Sequence, residues 1–121
     1  KFDVPAVRLG VVLALRKLQC RRLGEFLTDA DPRIVAEAAR AIYDQGLMPP
    51  MEPLAKLADT GGLAEPVAYR AVAANFKLGG PEAAARVAGF AARPSEPPHL
   101  REFALKLLAE WTKPRRLDPI T

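Results

Sequence analysis

The chain has few of the residues on which catalytic and cross-linked proteins usually depend. Its 121 residues include one cysteine and one histidine, and aromatic residues make up 7%. A single cysteine excludes an internal disulfide, and metal sites need several converging ligands. Cys20 and His99 also lie far apart in the sequence. We therefore expect a structural thiol and a solvated imidazole, not a catalytic pair or a metal site.

Other patterns are missing as well. No run of about 18 apolar residues is present, which predicts that the chain does not insert into a membrane. Strict alternation of polar and apolar residues, which would indicate strands, fits nowhere over a useful length. The glycine pairs Gly61–Gly62 and Gly79–Gly80 follow no predicted strand, so they are not phosphate-binding loops. No pair of carboxylates is recognisable as a general acid and base. The sequence thus predicts a protein without catalytic activity or a cofactor.

The chain does contain a pattern that occurs four times. Pro5, Pro32, Pro66 and Pro98 each open a stretch with apolar residues two, six and ten positions later, and the prolines are 27, 34 and 32 residues apart. That spacing of apolar residues predicts one face of a helix, and proline is tolerated in a first helical turn. Repeats of this length indicate stacked helical units.

The pattern predicts an all-α protein of seven helices and no sheet. Three pairs of a short and a long helix follow one unpaired N-terminal helix. Together they form one domain over residues 1–112, and an extended tail follows over residues 113–121. The long helices are expected at about 4–18, 32–45, 66–78 and 98–112, and the short ones at about 22–28, 51–58 and 81–92.

Acidic residues precede three of the four prolines. Asp31 and Glu65 stand directly before a proline, and Glu96 stands two positions before Pro98. We expect Asp31 to cap its helix, which explains the Asp29 and Asp31 pair better than a calcium loop does. All three carboxylates are expected to favour the positive end of a helix.

The first long helix departs from the pattern. Leu9 and Leu13 occupy places where later repeats carry charge or alanine, so this helix is apolar nearly all round. A helix of that kind needs neighbours on both sides, but the short helix expected before it is not in the sequence. We therefore expect this chain to be a piece of a longer protein, with residues 113–121 leading to a further domain. The alternative is a self-capping end that the tail covers.

The helix openings resemble those of HEAT repeats. Asp3 is followed after three residues by Val7-Arg8, and Asp29 stands in a similar relation to Ile34. The resemblance covers about residues 3–112 and implies an armadillo-like, right-handed α-α superhelix. The mean spacing of 31 residues is below the usual ~40–47, and looks like a short bacterial variety of the repeat.

A narrower resemblance concerns residues 73–85 and 108–121. These segments look like the helical part of large bacterial proteins in which HEAT repeats join a sugar-dehydrogenase-like β-propeller to a c-type haem domain. The resemblance implies a piece of an exported, periplasmic oxidoreductase in which this chain is a spacer or docking surface. The haem-attachment motif Cys-x-x-Cys-His is not in the sequence, so no cofactor is expected here.

The net charge of +4 is modest, but basic residues recur on the polar side of the long helices. This row is either a solvated face of mixed charge, since Asp44, Glu102 and Glu110 lie beside it, or an interaction surface for another protein or a neighbouring domain. The alternative is a nucleic-acid module, as in DNA glycosylase-like HEAT folds. An enzymatic interpretation would need a carboxylate with aromatics on this face, where only Tyr43 and Asp44 come near. The row comprises Arg16, Arg40, Arg70, Lys77 and Lys106.

Overall fold

The computed structural model describes residues 4–18 and 21–111, and this part of the chain is helical with no strand. The predicted all-α class is confirmed. The described residues form six α-helices, a 3-10 helix and a 3-10 turn. The elements are α1 (Pro5–Lys17), the 3-10 helix (Arg21–Thr28), α2 (Pro32–Gln45), α3 (Met48–Lys56), the 3-10 turn (Leu57–Asp59), α4 (Glu65–Leu78), α5 (Pro81–Ala92) and α6 (Pro98–Trp111).

Two of the short elements differ from the sequence prediction. Helix α3 begins at Met48, before the expected residue 51. The prolines that suggested a break there lie in its first turn, where a missing amide proton costs no hydrogen bond. The predicted helix at residues 22–28 is a 3-10 helix. Its Gly24 lies so close to α3 that an added Cβ would stand 3.2 Å from the Cβ of Pro50.

The acidic residues before the prolines take three different positions. The Asp31 side chain accepts a 2.9 Å hydrogen bond from the Arg33 amide and so caps α2, as expected. Glu65 lies in the first turn of α4, where Ala64 is the N-cap and makes no side-chain hydrogen bond. The carboxylate of Glu96 is buried and pairs with Arg93 at 3.2 Å. Glu96, which was expected to favour the positive end of α6, thus pairs with Arg93, the C-cap residue of α5.

The helices pack in the order of the chain. Helix α1 contacts α2, α2 contacts α4, and α4 contacts α6. The shorter elements contact one another in the same way, from the 3-10 helix through α3 and the 3-10 turn to α5. Each short element also packs against two consecutive long helices: the 3-10 helix against α1 and α2, α3 against α2 and α4, and α5 against α4 and α6.

Burial is greatest in the middle of this arrangement. Seven residues of α4 are buried, in the run from Val67 to Asn75. Among the described residues of α1, Val12 alone is buried. Leu9 packs against the core from a partly buried position, whereas Leu13 is 43% exposed. The two leucines that made α1 look apolar all round both border a groove against Arg33, Ala36 and Glu37 of α2, and Leu13 is the more exposed of the two.

Candidate interaction surface

The five basic residues that the sequence places in one row lie on all four long helices. Arg16 is on α1, Arg40 on α2, Lys106 on α6, and Arg70 and Lys77 are on α4. Arg40, Lys77 and Lys106 are exposed, whereas Arg16 and Arg70 are partly buried. Four of the five interact with groups on the same face, and these contacts determine what the surface can attract.

Glu37 of α2 pairs with two of the cations. One of its oxygens lies 3.5 Å from a guanidinium nitrogen of Arg16, and the other accepts a 3.3 Å hydrogen bond from Arg40. The Arg16 pair links α1 to α2, while the Arg40 pair lies within α2. Exposed ion pairs add little to stability. The two guanidinium groups share the single negative charge of one carboxylate.

The next two cations join α4 to α2. Arg70 lies 3.9 Å from the carboxylate of Asp44. The Lys77 ammonium donates to the backbone carbonyl of Tyr43 at 3.2 Å and stands 4.2 Å from the centre of its ring, a cation–π geometry. Burial raises the pKa of the Tyr43 phenol, which keeps it neutral at ordinary pH. Tyr43 and Asp44 therefore hold neighbouring cations, and this geometry gives no acid–base pair.

A shallow groove lies where α1 meets α2. Its volume is about 490 Å³, and its walls include Leu13, Arg16 and Gln45. The Gln45 side chain donates to the Arg16 carbonyl at 3.0 Å, and its buried oxygen has no hydrogen-bond partner among the residues that the structure describes. The groove combines an exposed leucine with a cation, groups that suit a peptide segment.

A second polar cluster lies inside the molecule, centred on Asn75. This side chain is fully buried and donates to the carbonyls of Ala55 at 3.0 Å and Ala71 at 2.9 Å. Its oxygen accepts a 3.1 Å hydrogen bond from Arg86, which lies 3.5 Å from Asp59. All polar atoms of the amide are thereby satisfied, and the cluster joins α3, α4 and α5.

Arg93 extends this cluster at the end of the 3-10 turn. Its guanidinium donates to the carbonyl of Ala58 at 2.5 Å and to that of Asp59 at 3.3 Å, and pairs with buried Glu96. Carbonyls at a helix end lack intrahelical partners, and basic side chains commonly satisfy them. Sequence reasoning missed this role. The one signal of the buried polar cluster in the sequence was Asn75, which stands at a repeat position that holds alanine in the first two units.

The remaining candidates lie elsewhere. His99 forms a surface hydrogen bond with Glu65 at the start of α4, and Cys20 lies outside the described residues. Tyr69 and Phe103 stack with their ring centres 4.4 Å apart, and Tyr69 is 45% exposed. This aromatic pair, in which Phe103 is partly buried, was not foreseen, because its members occupy different positions in their repeats.

Neither the described residues nor the comparisons with known proteins assign a ligand or a family to the chain. Where the structure describes the chain, no three or more histidine, cysteine or acidic side chains converge as metal ligands. The described helices include none with the length and apolar character needed to cross a membrane. Comparison of the chain with protein-family models, curated proteins and solved structures found no match.

Proposed function

We propose that the chain is a HEAT-like, right-handed helical repeat that binds another protein or a neighbouring domain and catalyses no reaction itself. One observation carries this proposal: each long helix packs against the next in chain order, and the short elements join consecutive long helices. In repeat proteins of this kind, neighbour-to-neighbour packing builds an extended surface for partners.

The charges favour a protein as the partner. Attraction to phosphate needs a concentration of unneutralised positive charge. In the basic row, two carboxylates, those of Glu37 and Asp44, lie among the five cations, and Lys77 is held over Tyr43, so the positive charge is interrupted along the row. Mixed charges lie beside the groove between α1 and α2, which Leu13 borders. Such a surface is more typical of protein binding than of nucleic-acid binding. If the dehydrogenase–haem resemblance holds, the partner is a neighbouring domain of that larger protein.

Site-specific cross-linking in cells tests this proposal. A photoreactive amino acid placed at Arg40 on the long-helix face is expected to give a discrete adduct. The same substitution at Glu52, an exposed residue of the short helix α3, serves as the matched control. The Arg40 adduct should disappear when Lys77 and Lys106 are changed to glutamate. Equal adducts from both positions, or none from Arg40, would contradict the proposed surface.

Nucleic-acid binding, the alternative function, has a separate test. Fluorescence anisotropy of a labelled duplex at low salt should show no binding by the purified chain. Binding that weakens steeply with salt, and that Arg40→Glu with Lys106→Glu removes, would favour the nucleic-acid module instead.

A further inference from the structure

One face of α1 is exposed at repeat positions that are buried in the other long helices. Two residues after the opening proline, Val7 is 47% exposed, whereas the corresponding residues of α2, α4 and α6 are exposed by 1%, 1% and 3%. Six residues after the proline, Val11 is partly exposed while its counterparts are fully buried. These counterparts are Ile34, Ala68 and Leu100 at the first position, and Ala38, Val72 and Ala104 at the second.

Ala14 completes the exposed set, nine residues after the proline. Its counterparts in α2 and α4, Ala41 and Asn75, are fully buried, and Leu107 in α6 is partly buried. Val7, Val11 and Ala14 are spaced by four and three residues, so they share one face of the helix. We call this surface the α1 face.

The packing order explains why these positions are buried in the later helices. Each of α2, α4 and α6 has a short element before it in the chain and packs against that element: the 3-10 helix, α3 and α5 respectively. Helix α1 packs against the 3-10 helix, which follows it. At the other end, α6 packs against α5, which precedes it, and its Leu100 and Ala104 are buried. The preceding short element is therefore what covers these repeat positions.

We propose that the α1 face binds a short amphipathic helix whose apolar side has the composition of α5. In α5 the buried residues are Ala83, Val87, Phe90 and Ala91, an i, i+4, i+7, i+8 stripe. Helix α5 has 12 residues and α1 has 13, so a helix of that length spans the whole face. Ala14 also borders the groove that Arg16 and Gln45 line, but the proposal uses the repeat packing and not the proposed partner of the basic row.

Small side chains on α1 suit this occupant. Ala14 belongs to the face, and Gly10 lies beside it on the adjoining turn of the helix, where an added Cβ would meet open space. Alanine and glycine let a second backbone approach closely. The three side chains of the face, Val7, Val11 and Ala14, are uncharged, and the basic residues Arg16 and Lys17 follow them in the last turn. An uncharged stripe is therefore the matching surface on the partner.

A graft within the full chain tests the proposal directly. Residues 80–97, which contain α5 and its connection to α6, are joined to Pro5 in place of residues 1–4, so that Pro5 takes the place of Pro98. We expect the melting temperature to rise by about 5 °C or more, since a covered apolar face stabilises the folded state. Amide hydrogen exchange in α1 should slow at least about tenfold.

Two matched controls identify the contact. The same graft with Val87→Asp and Phe90→Asp in the added copy should leave the melting temperature at that of the parent chain. The host substitution Val7→Asp should abolish the rise, while changing the parent chain itself little because Val7 is exposed there. An intact graft that is helical by circular dichroism but gives no rise would overturn the proposal.

A second copy of the chain is the competing occupant. Sedimentation of the parent protein over a hundredfold concentration range should show a monomer. A dimer that Val7→Asp dissociates would assign the α1 face to self-association and overturn the proposal. Cross-linking from Arg40 on α2 is a separate readout, so the failure of one proposal is distinguishable from the failure of the other.

Discussion

Helices α1 and α4 carry the same repeat pattern but lie in very different surroundings. Both begin with proline in the first turn, and they have 13 and 14 residues. Helix α4 contacts α2, α3, α5 and α6, and seven of its residues are buried. Helix α1 contacts α2 and the 3-10 helix, and Val12 is its one buried residue. Burial in this fold is therefore set by how many neighbours a helix has, since the apolar pattern of both helices is similar.

The polar contacts of the two helices differ in the same way. Helix α4 buries Asn75 completely and ties three elements together through it. Helix α1 is held at its edge, where Arg8 pairs with Asp29 at 2.8 Å in the loop before α2. A buried amide is costly unless every polar atom is paired, so such a group is tolerated where neighbours surround it. The middle of the chain should therefore dominate the free energy of unfolding.

The largest effect is expected at Phe90, which is fully buried and is the largest such side chain. Phe90→Ala should lower the free energy of unfolding by about 3–5 kcal/mol, because it removes buried surface and leaves a cavity. Urea unfolding followed by circular dichroism measures this loss in the free energy of unfolding. The matched control is Tyr69→Ala, which removes a 45% exposed aromatic and should cost less than half as much. Equal losses would show that α5 is not part of the core.

A matched pair at one repeat position tests the comparison between helices most directly. Ile34 and Val7 both stand two residues after their proline, but they are 1% and 47% exposed. Ile34→Ala should cost about 2–5 kcal/mol, whereas Val7→Ala should stay within about 0.5 kcal/mol. Thermal and urea unfolding of both variants provide the measurement. A large loss at Val7 would mean that the α1 face is already covered.

The sequence predicted those elements of the fold whose signals are local and missed those that depend on tertiary contacts. The prolines and the apolar spacing placed the long helices within one or two residues, because both signals are local. The start of α3 at Met48 was missed, since Pro49 and Pro50 suit a first turn as well as a break. The 3-10 form of residues 21–28 was also missed. Gly24 in that segment approaches α3 closely, a tertiary contact that the local sequence does not encode.

The candidate surface was less predictable than the helices. The sequence placed five cations on one side, but the partners of Arg16 and Arg70 are on a different helix from the cation. Whether a charge is neutralised depends on how two helices are rotated against each other. For the same reason the capping role of Arg93 and the stack of Tyr69 on Phe103 could not be inferred from spacing alone.

The third prediction concerns the buried network of α4. Asn75→Ala removes the amide that Ala55 and Arg86 need as partners, and should cost about 1–3 kcal/mol. Its counterpart Ala41 shows that alanine fits this repeat position sterically. A double-mutant cycle with Arg86→Met should give a coupling energy of about 0.5–3 kcal/mol. Strictly additive effects would show that the Asn75–Arg86 hydrogen bond contributes nothing.

The smallest effect is expected at the helix starts, where α2 is capped by Asp31 and α1 begins after Val4 without a side-chain cap. The Arg33 side chain and amide donate to Asp31 and hold the pKa of its carboxyl below the ordinary value of 3.8. A lowered pKa in the folded state stabilises the protein above pH 3.8, and this contribution is lost as the pH falls through the lowered value.

Asparagine caps a helix as well as aspartate does but carries no charge. Asp31→Asn should therefore lower the melting temperature slightly at pH 7, and the difference from the parent chain should shrink towards pH 2. Arg33→Gln should remove most of this pH dependence. A difference that stays constant from pH 7 to pH 2 would assign the cap to its hydrogen bond alone and leave the charge without effect.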